Sequence, residues 1–226
     1  MIVSNPAGDP APGLRERKKQ RTRATLVDVA ARLCAERGYE NTTVDQISEA
    51  ADVSPRTFSR YFPNKEAVIG ALIEDTSEHV AAALALQPFD ITEHEALVRA
   101  HVAVLRATEG REPGAMSFDR LSGFLRIVNA SPLLGLSSFT YRPEAPTRAV
   151  IGALADRMGV AVDHPAVRIL FDTWAVLMAA ALGVPGADAV RPGVVADRIE
   201  ATYEIFAALW HPWRPRVSPP AGEPGR

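Results

Sequence analysis

The chain has 226 residues, 47% of them hydrophobic and 23% charged, with a formal net charge of −2; this is the balance of a globular protein with a proper core and no global basic character. Its single cysteine, Cys34, excludes an internal disulfide. The charge is unevenly placed: residues 1–65 hold 11 Lys/Arg against 8 Asp/Glu, and residues 66–226 hold 14 against 19. A basic end on an acidic body is expected where only one end meets a polyanion. No apolar run stands out as a bilayer span, and the opening MIVSNPAGDPAPG lacks the charged-then-apolar order of a secretion signal. A cytoplasmic chain with no membrane partner is expected.

Taken in order, residues 1–14 and 214–226 are rich in Pro and Gly and read as disordered tails. Between them the periodicity is helical almost throughout, with no strand pattern. A first helix runs from about Arg15 or Lys19 to Arg37, with Leu26, Val29, Ala30 and Leu33 on one face and Gly38 as its left-handed stop. Thr43 and Gln46 form a capping box that starts a second helix ending near Ala51. Ser54-Pro55 starts a third, ending at Phe62 before Pro63. Asn64 caps a long fourth helix to about Gln87. Further helices are predicted over Glu93–Thr108, Met116–Asn129, Pro132–Met158 (interrupted near Pro143 or Pro146), Pro165–Leu182 and Gly193–Trp210. The fold class is therefore all-α, with about nine helices: a three-helix head over 15–63 and a larger helical bundle over 64–213.

Two short helices joined by a tight turn, Thr43–Ala51 and Ser54–Phe62, form a helix-turn-helix. On the third helix Phe58 and Phe62, four apart, share the face that must pack inward. Arg56 and Arg60 share another, flanked by Thr57 and Ser59. Guanidinium groups bind guanine edges or phosphates, and threonine offers a hydroxyl and a methyl group. Arg56 and Thr57 are the expected base readers, with Ser54, Ser59, Arg60 and Tyr61 beside them. Thr43 marks a helix N-terminus open to a phosphate. Lys65 lies in a first helical turn where the dipole does not favour a cation, so a DNA phosphate is its expected partner. The run Arg15–Arg23 holds six basic residues and one acidic; Arg17, Lys18, Lys19 and Arg21 are candidate groove or phosphate contacts.

These features together resemble the DNA-binding head of the TetR family. The resemblance is carried by LVDVAARLCAERGYENTTVDQISEAADVSPRTFSRYFPNKEAVIGAL: the Gly38-Tyr39 turn, Thr42-Thr43, the Ala50-Ala51-x-Val53-Ser54 turn, Thr57-Phe58, and Tyr61-Phe62-x-Asn64-Lys65-Glu66. Asp52 stands where that family commonly has Gly, a position Asp tolerates, and Ser59 replaces a common aromatic. The resemblance implies a regulator, and a repressor is expected because a head plus a sensor contains no obvious polymerase-recruiting surface. It would bind a palindromic double-stranded operator as a homodimer and be released by a small-molecule effector held in the divergent remainder.

In that remainder His101, Arg120, Phe124, Phe139, Trp174 and Met178 are candidate ligand contacts, and their apolar weight points to a hydrophobic effector. Val167, Leu170, Phe171, Ile199 and Phe206, on the last two helices, are candidates for the dimer interface. No cofactor is implied. An enzyme is the competing class. However, the five histidines show no metal-ligand spacing, and GxSxG, Walker and GxGxxG motifs are missing from the sequence. A DNA binder without an effector is the second alternative, and the size of the C-terminal part argues against it.

Overall fold

The structure is a computed structural model that describes residues 13–130, 147–182 and 190–209. Among these residues there are nine helices and no strand. They are α1 (Leu14–Arg37), α2 (Val44–Ala50), α3 (Pro55–Tyr61), α4 (Lys65–Ala85), α5 (Glu93–Glu109), α6 (Phe118–Ala130), α7 (Arg148–Met158), α8 (Pro165–Leu182) and α9 (Pro192–Leu209). The expected break of the seventh helix near Pro143 or Pro146 lies outside the described residues, as do the two terminal tails.

The helix starts follow from local chemistry. Thr43 Oγ1 accepts the Gln46 amide while the Gln46 side chain returns to the Thr43 amide, so both free donors are satisfied. Ser54 Oγ accepts the Thr57 amide ahead of Pro55, and Asn64 Oδ1 accepts the Ala67 amide. The turn between α2 and α3 puts Asp52 at φ 54°, a left-handed position that its short polar side chain tolerates. Gly38 stops α1 in a different way from that expected. Its φ of 87° and ψ of 151° lie outside the left-handed helical region, in a region almost closed to residues with a Cβ.

Three helices build the head around Leu26, Ala30, Ile47 and Phe58, all at most 1% exposed. Phe58 and Phe62 meet with ring centroids 5.9 Å apart. α4 leaves the head through Val68 and Leu72, both fully buried, and continues into the body, where it packs along α5 and α7. α9 packs along α5 and α8. α6 reaches back and lies along α1 of the head. Gly123 makes that approach possible, because a Cβ there would lie 3.2 Å from the Ala31 carbonyl oxygen. By length and composition α8 is apolar enough to cross a bilayer, a feature not expected from the sequence. Its Val167, Phe171, Trp174 and Met178 are instead buried in the core of the body.

Gly38→Ala should cost on the order of 1–3 kcal/mol of stability, because the strain of its backbone region remains although a Cβ would meet only Asn41 Nδ2, at an unstrained 3.7 Å. Urea denaturation followed by circular dichroism measures this. An unchanged midpoint would mean that the turn relaxes to another conformation.

Candidate functional site

The candidate recognition surface is built by the short helix α3. Phe58 is 1% exposed and anchors it to the head, whereas Arg56, Ser59 and Arg60 face solvent and Thr57 is half-buried. Arg56 is therefore held on a packed helix with its guanidinium presented outward. Thr57 Oγ1 lies 2.9 Å from Ser54 Oγ, so its hydroxyl is engaged at the cap while its methyl group stays available. Ser59 Oγ donates to the Pro55 carbonyl at 3.0 Å and is spent within its own helix. The guanidinium of Arg60 lies over the Tyr61 ring, 5.2 Å from its centroid.

The basic run enters as the first turns of α1 rather than as an extended arm. Arg15, Lys18 and Lys19 line an open cleft together with Arg60 and Tyr61. The structure thus joins the start of α1 to the end of α3 in one positive surface. Arg17 and Arg21 are exposed on the same helix but do not line that cleft.

Lys65 is placed differently from the expectation. Its Nζ donates to the carbonyl oxygens of Tyr39 at 2.6 Å and Thr42 at 2.9 Å, and it sits 4.0 Å from the centroid of the Tyr39 ring. The Tyr39 carbonyl also accepts the Thr42 amide within the turn between α1 and α2, and the lysine bonds tie both carbonyls to α4. Its primary role is to clamp α4 to that turn, with one N–H left for any phosphate. Beside it Tyr39 Oη donates to Glu66 Oε1 at 2.8 Å, which closes the same joint. Cys34 is buried beneath it, and burial raises its thiol pKa, the behaviour of a core residue.

In the body, four of the six candidate ligand residues meet on one cavity: His101, Phe124, Trp174 and Met178. Ile73, Thr76, Leu121, Leu125 and Val150 add to its wall. The cavity is apolar, and among the described residues no Lys, Arg, Asp or Glu lines it. Sequence reading missed these extra wall residues because each belongs to an ordinary amphipathic stripe. Phe139 lies outside the described residues.

Arg120 does not line the cavity. Its guanidinium contacts Asp28 of α1 at 2.6 Å and Asp75 of α4 at 2.8 Å, so three helices meet on one cation. Partners 92 and 45 residues away leave no local signal in the sequence.

The dimer candidates also divide. Val167, Phe171 and Ile199 are at most 2% exposed within a single protomer, and Phe171 lines the cavity. They are core residues and cannot face a partner. Leu170 and Phe206 are half-buried, and Phe206 packs edge-on against His94 with centroids 4.7 Å apart. The apolar residues that α8 and α9 leave open are Ile169, Val176, Ile205 and Leu209, between 64 and 78% exposed. Their spacings of seven and four were a signal for a second face, hidden because both helices are apolar on more than one side.

A basic helix-turn-helix head carried on an all-helical body with its own cavity defines a DNA-binding regulator. Residues 26–72 match the family model described as bacterial regulatory proteins, tetR family. The chain is 38% identical over 153 residues to the HTH-type transcriptional regulator TcmR of Streptomyces glaucescens, which is 67% of each chain. It is 36% identical over 58 residues to YvkB of Bacillus subtilis, described as an uncharacterized HTH-type transcriptional regulator, spanning 26% of this chain and 31% of that one. The fold matches Salmonella enterica GusR with a TM-score of 0.50 at 19% identity, covering 84% of this chain and 95% of that one.

The chain belongs to the TetR family of transcriptional regulators, and its function is DNA-binding regulation of transcription rather than catalysis. Regulators of this family bind DNA as dimers and respond to small-molecule ligands.

Proposed function

We propose that the protein is a cytoplasmic repressor that holds a palindromic operator as a homodimer and is released by an uncharged, largely apolar effector bound in the cavity. One observation carries this reading: α6 both walls the cavity and is fastened to the DNA-binding head. Leu121, Phe124 and Leu125 face the cavity, while Arg120 on the same helix grips Asp28 of α1. Gly123 seats α6 against the α1 backbone at Ala31. An effector that displaces α6 therefore moves α1, and α3 with it. Because Arg120 also holds Asp75, α4 joins the same linkage and carries its Lys65 clamp. The effector must bind the displaced state better than the DNA-competent one, since equal affinity shifts no population.

In this reading Arg56 and the methyl group of Thr57 read bases, and Arg60, Tyr61 and the exposed cations Arg17, Lys18, Lys19 and Arg21 contact the backbone. The starts of α2 and α3, capped by Thr43 and Ser54, still present first-turn N–H groups, those of Asp45 and Arg56, that favour phosphates. The partner protomer covers Ile169, Val176, Ile205 and Leu209 across a two-fold axis. This would bury a face whose exposure is otherwise unfavourable.

Selection from fragmented genomic DNA at fixed salt tests the reading. The wild type should enrich a near-palindromic site. Arg56→Ala should weaken binding to that site by about 1–3 kcal/mol and relax the preference at one base pair per half-site. Failure of the wild type to enrich any sequence, before and after refolding to strip bound effector, would remove the operator reading.

The dimer face is checked by light scattering. Val176→Glu and Ile205→Glu should each give monomers, and a dimer that persists in both variants would place the interface elsewhere.

Arg120→Met tests the linkage. It should leave effector binding within about threefold while making DNA binding insensitive to effector, as read by fluorescence anisotropy. Full effector response in that variant would show that α6 communicates through packing alone.

A further inference from the structure

One polar group of the cavity-lining residues has no partner among the described residues, and an imidazole lies against it. Trp174 is fully buried, and its indole Nε1–H has no hydrogen-bond partner among the described residues. A buried donor left in that state is costly, so it marks a place where a ligand acceptor gains more than elsewhere on an apolar wall. His101 lies against it, with ring centroids 4.2 Å apart. His101 Nδ1 is 2.8 Å from the Leu97 carbonyl oxygen, an obligate acceptor, so Nδ1 carries the proton and Nε2 presents a lone pair. Burial holds the ring neutral by pushing its pKa down to about 4.

The other cavity hydroxyls have internal work. Thr76 Oγ1 donates to the Leu72 carbonyl, and Ser77 Oγ accepts the Val150 amide.

We infer that the paired Trp174 donor and His101 acceptor form a recognition site for the hydroxyl group, alcoholic or phenolic, of an otherwise apolar ligand. The inference rests on the cavity being the effector site and names the chemistry that it selects. A hydroxyl is the smallest group that answers both ring nitrogens, accepting from Trp174 Nε1–H and donating to His101 Nε2. A ketone or ether satisfies the indole but sets its lone pairs against the imidazole lone pair, and an amino group does the reverse. A carboxylate would have to shed its water in a cavity where no cation stands among the described residues, since Arg120 is held outside by Asp28 and Asp75. The aromatic and aliphatic wall from Phe124, Phe171 and Met178 then takes the rest of the molecule.

Calorimetric titration of the full chain with 4-ethylphenol, ethylbenzene and 4-ethylbenzoate tests this. The phenol should bind at least about tenfold more tightly than the hydrocarbon, the value of one net hydrogen bond, and the benzoate should not bind. Trp174→Phe and His101→Phe should each bring the phenol-to-hydrocarbon ratio close to one.

Should a core substitution prevent folding, the Trp210→Phe, Trp213→Phe chain keeps Trp174 as its sole indole. Its N–H proton resonance should move downfield with 4-ethylphenol and stay in place with ethylbenzene. Equal affinity for phenol and hydrocarbon, a preference for benzoate, or a stationary indole resonance would overturn hydroxyl recognition and leave the cavity as an effector site. Failure of all three probes to bind would overturn both. Phenol binding without any DNA selection would leave the site standing and remove only the operator reading.

Discussion

The contact on which the arrangement turns is the guanidinium of Arg120 between Asp28 and Asp75. It ties together three helices from different parts of the chain: α1 of the head, α4 that links head to body, and α6 of the cavity wall. Half-exposed Asp28 and largely buried Asp75 give the cation two unequal partners. Such a group adds little net stability, because stripping water from three charges offsets much of their attraction. What it fixes is register. A fork of fixed geometry that must meet two carboxylates at once tolerates little sliding of α6 along α1. The close seat of Gly123 on Ala31 reinforces the same constraint through packing.

Around this joint the body separates two tasks onto opposite sides of α8. Phe171, Trp174 and Met178 point to the cavity, and Ile169 and Val176 point away from the protomer. One helix thereby supplies both a wall of the cavity and an exposed apolar face. The linkage at the head end is completed by Lys65, which uses two carbonyls of the α1–α2 turn to hold α4 in place.

The head was legible because its signals are local. Thr43 with Gln46, Ser54 with Pro55, and Asn64 sit within four residues of the amides or turns they serve, so the helix starts follow from the chain itself. Phe58 and Arg56 were assigned to opposite faces by helical spacing on a seven-residue helix, and the structure places them so. The body was legible only as helices. Val167, Phe171 and Ile199 looked available to a partner because an apolar stripe does not say which neighbour it meets. Arg120 looked like a polar ligand contact because its carboxylate partners are far away in sequence.

The sequence by itself determined the all-helical class, the caps that start the head and linking helices, the outward face of the recognition helix and the basic end of the chain. All of these depend on residues within a turn or two of one another, or on composition. Tertiary structure alone decided that Lys65 clamps a turn, that Arg120 joins three helices outside the cavity, and that His101 and Trp174 face each other. It also decided which side of α8 and α9 remains uncovered. These are choices among faces that are equally apolar or equally charged, and only long-range packing, which buries one face and leaves the other to solvent, separates them.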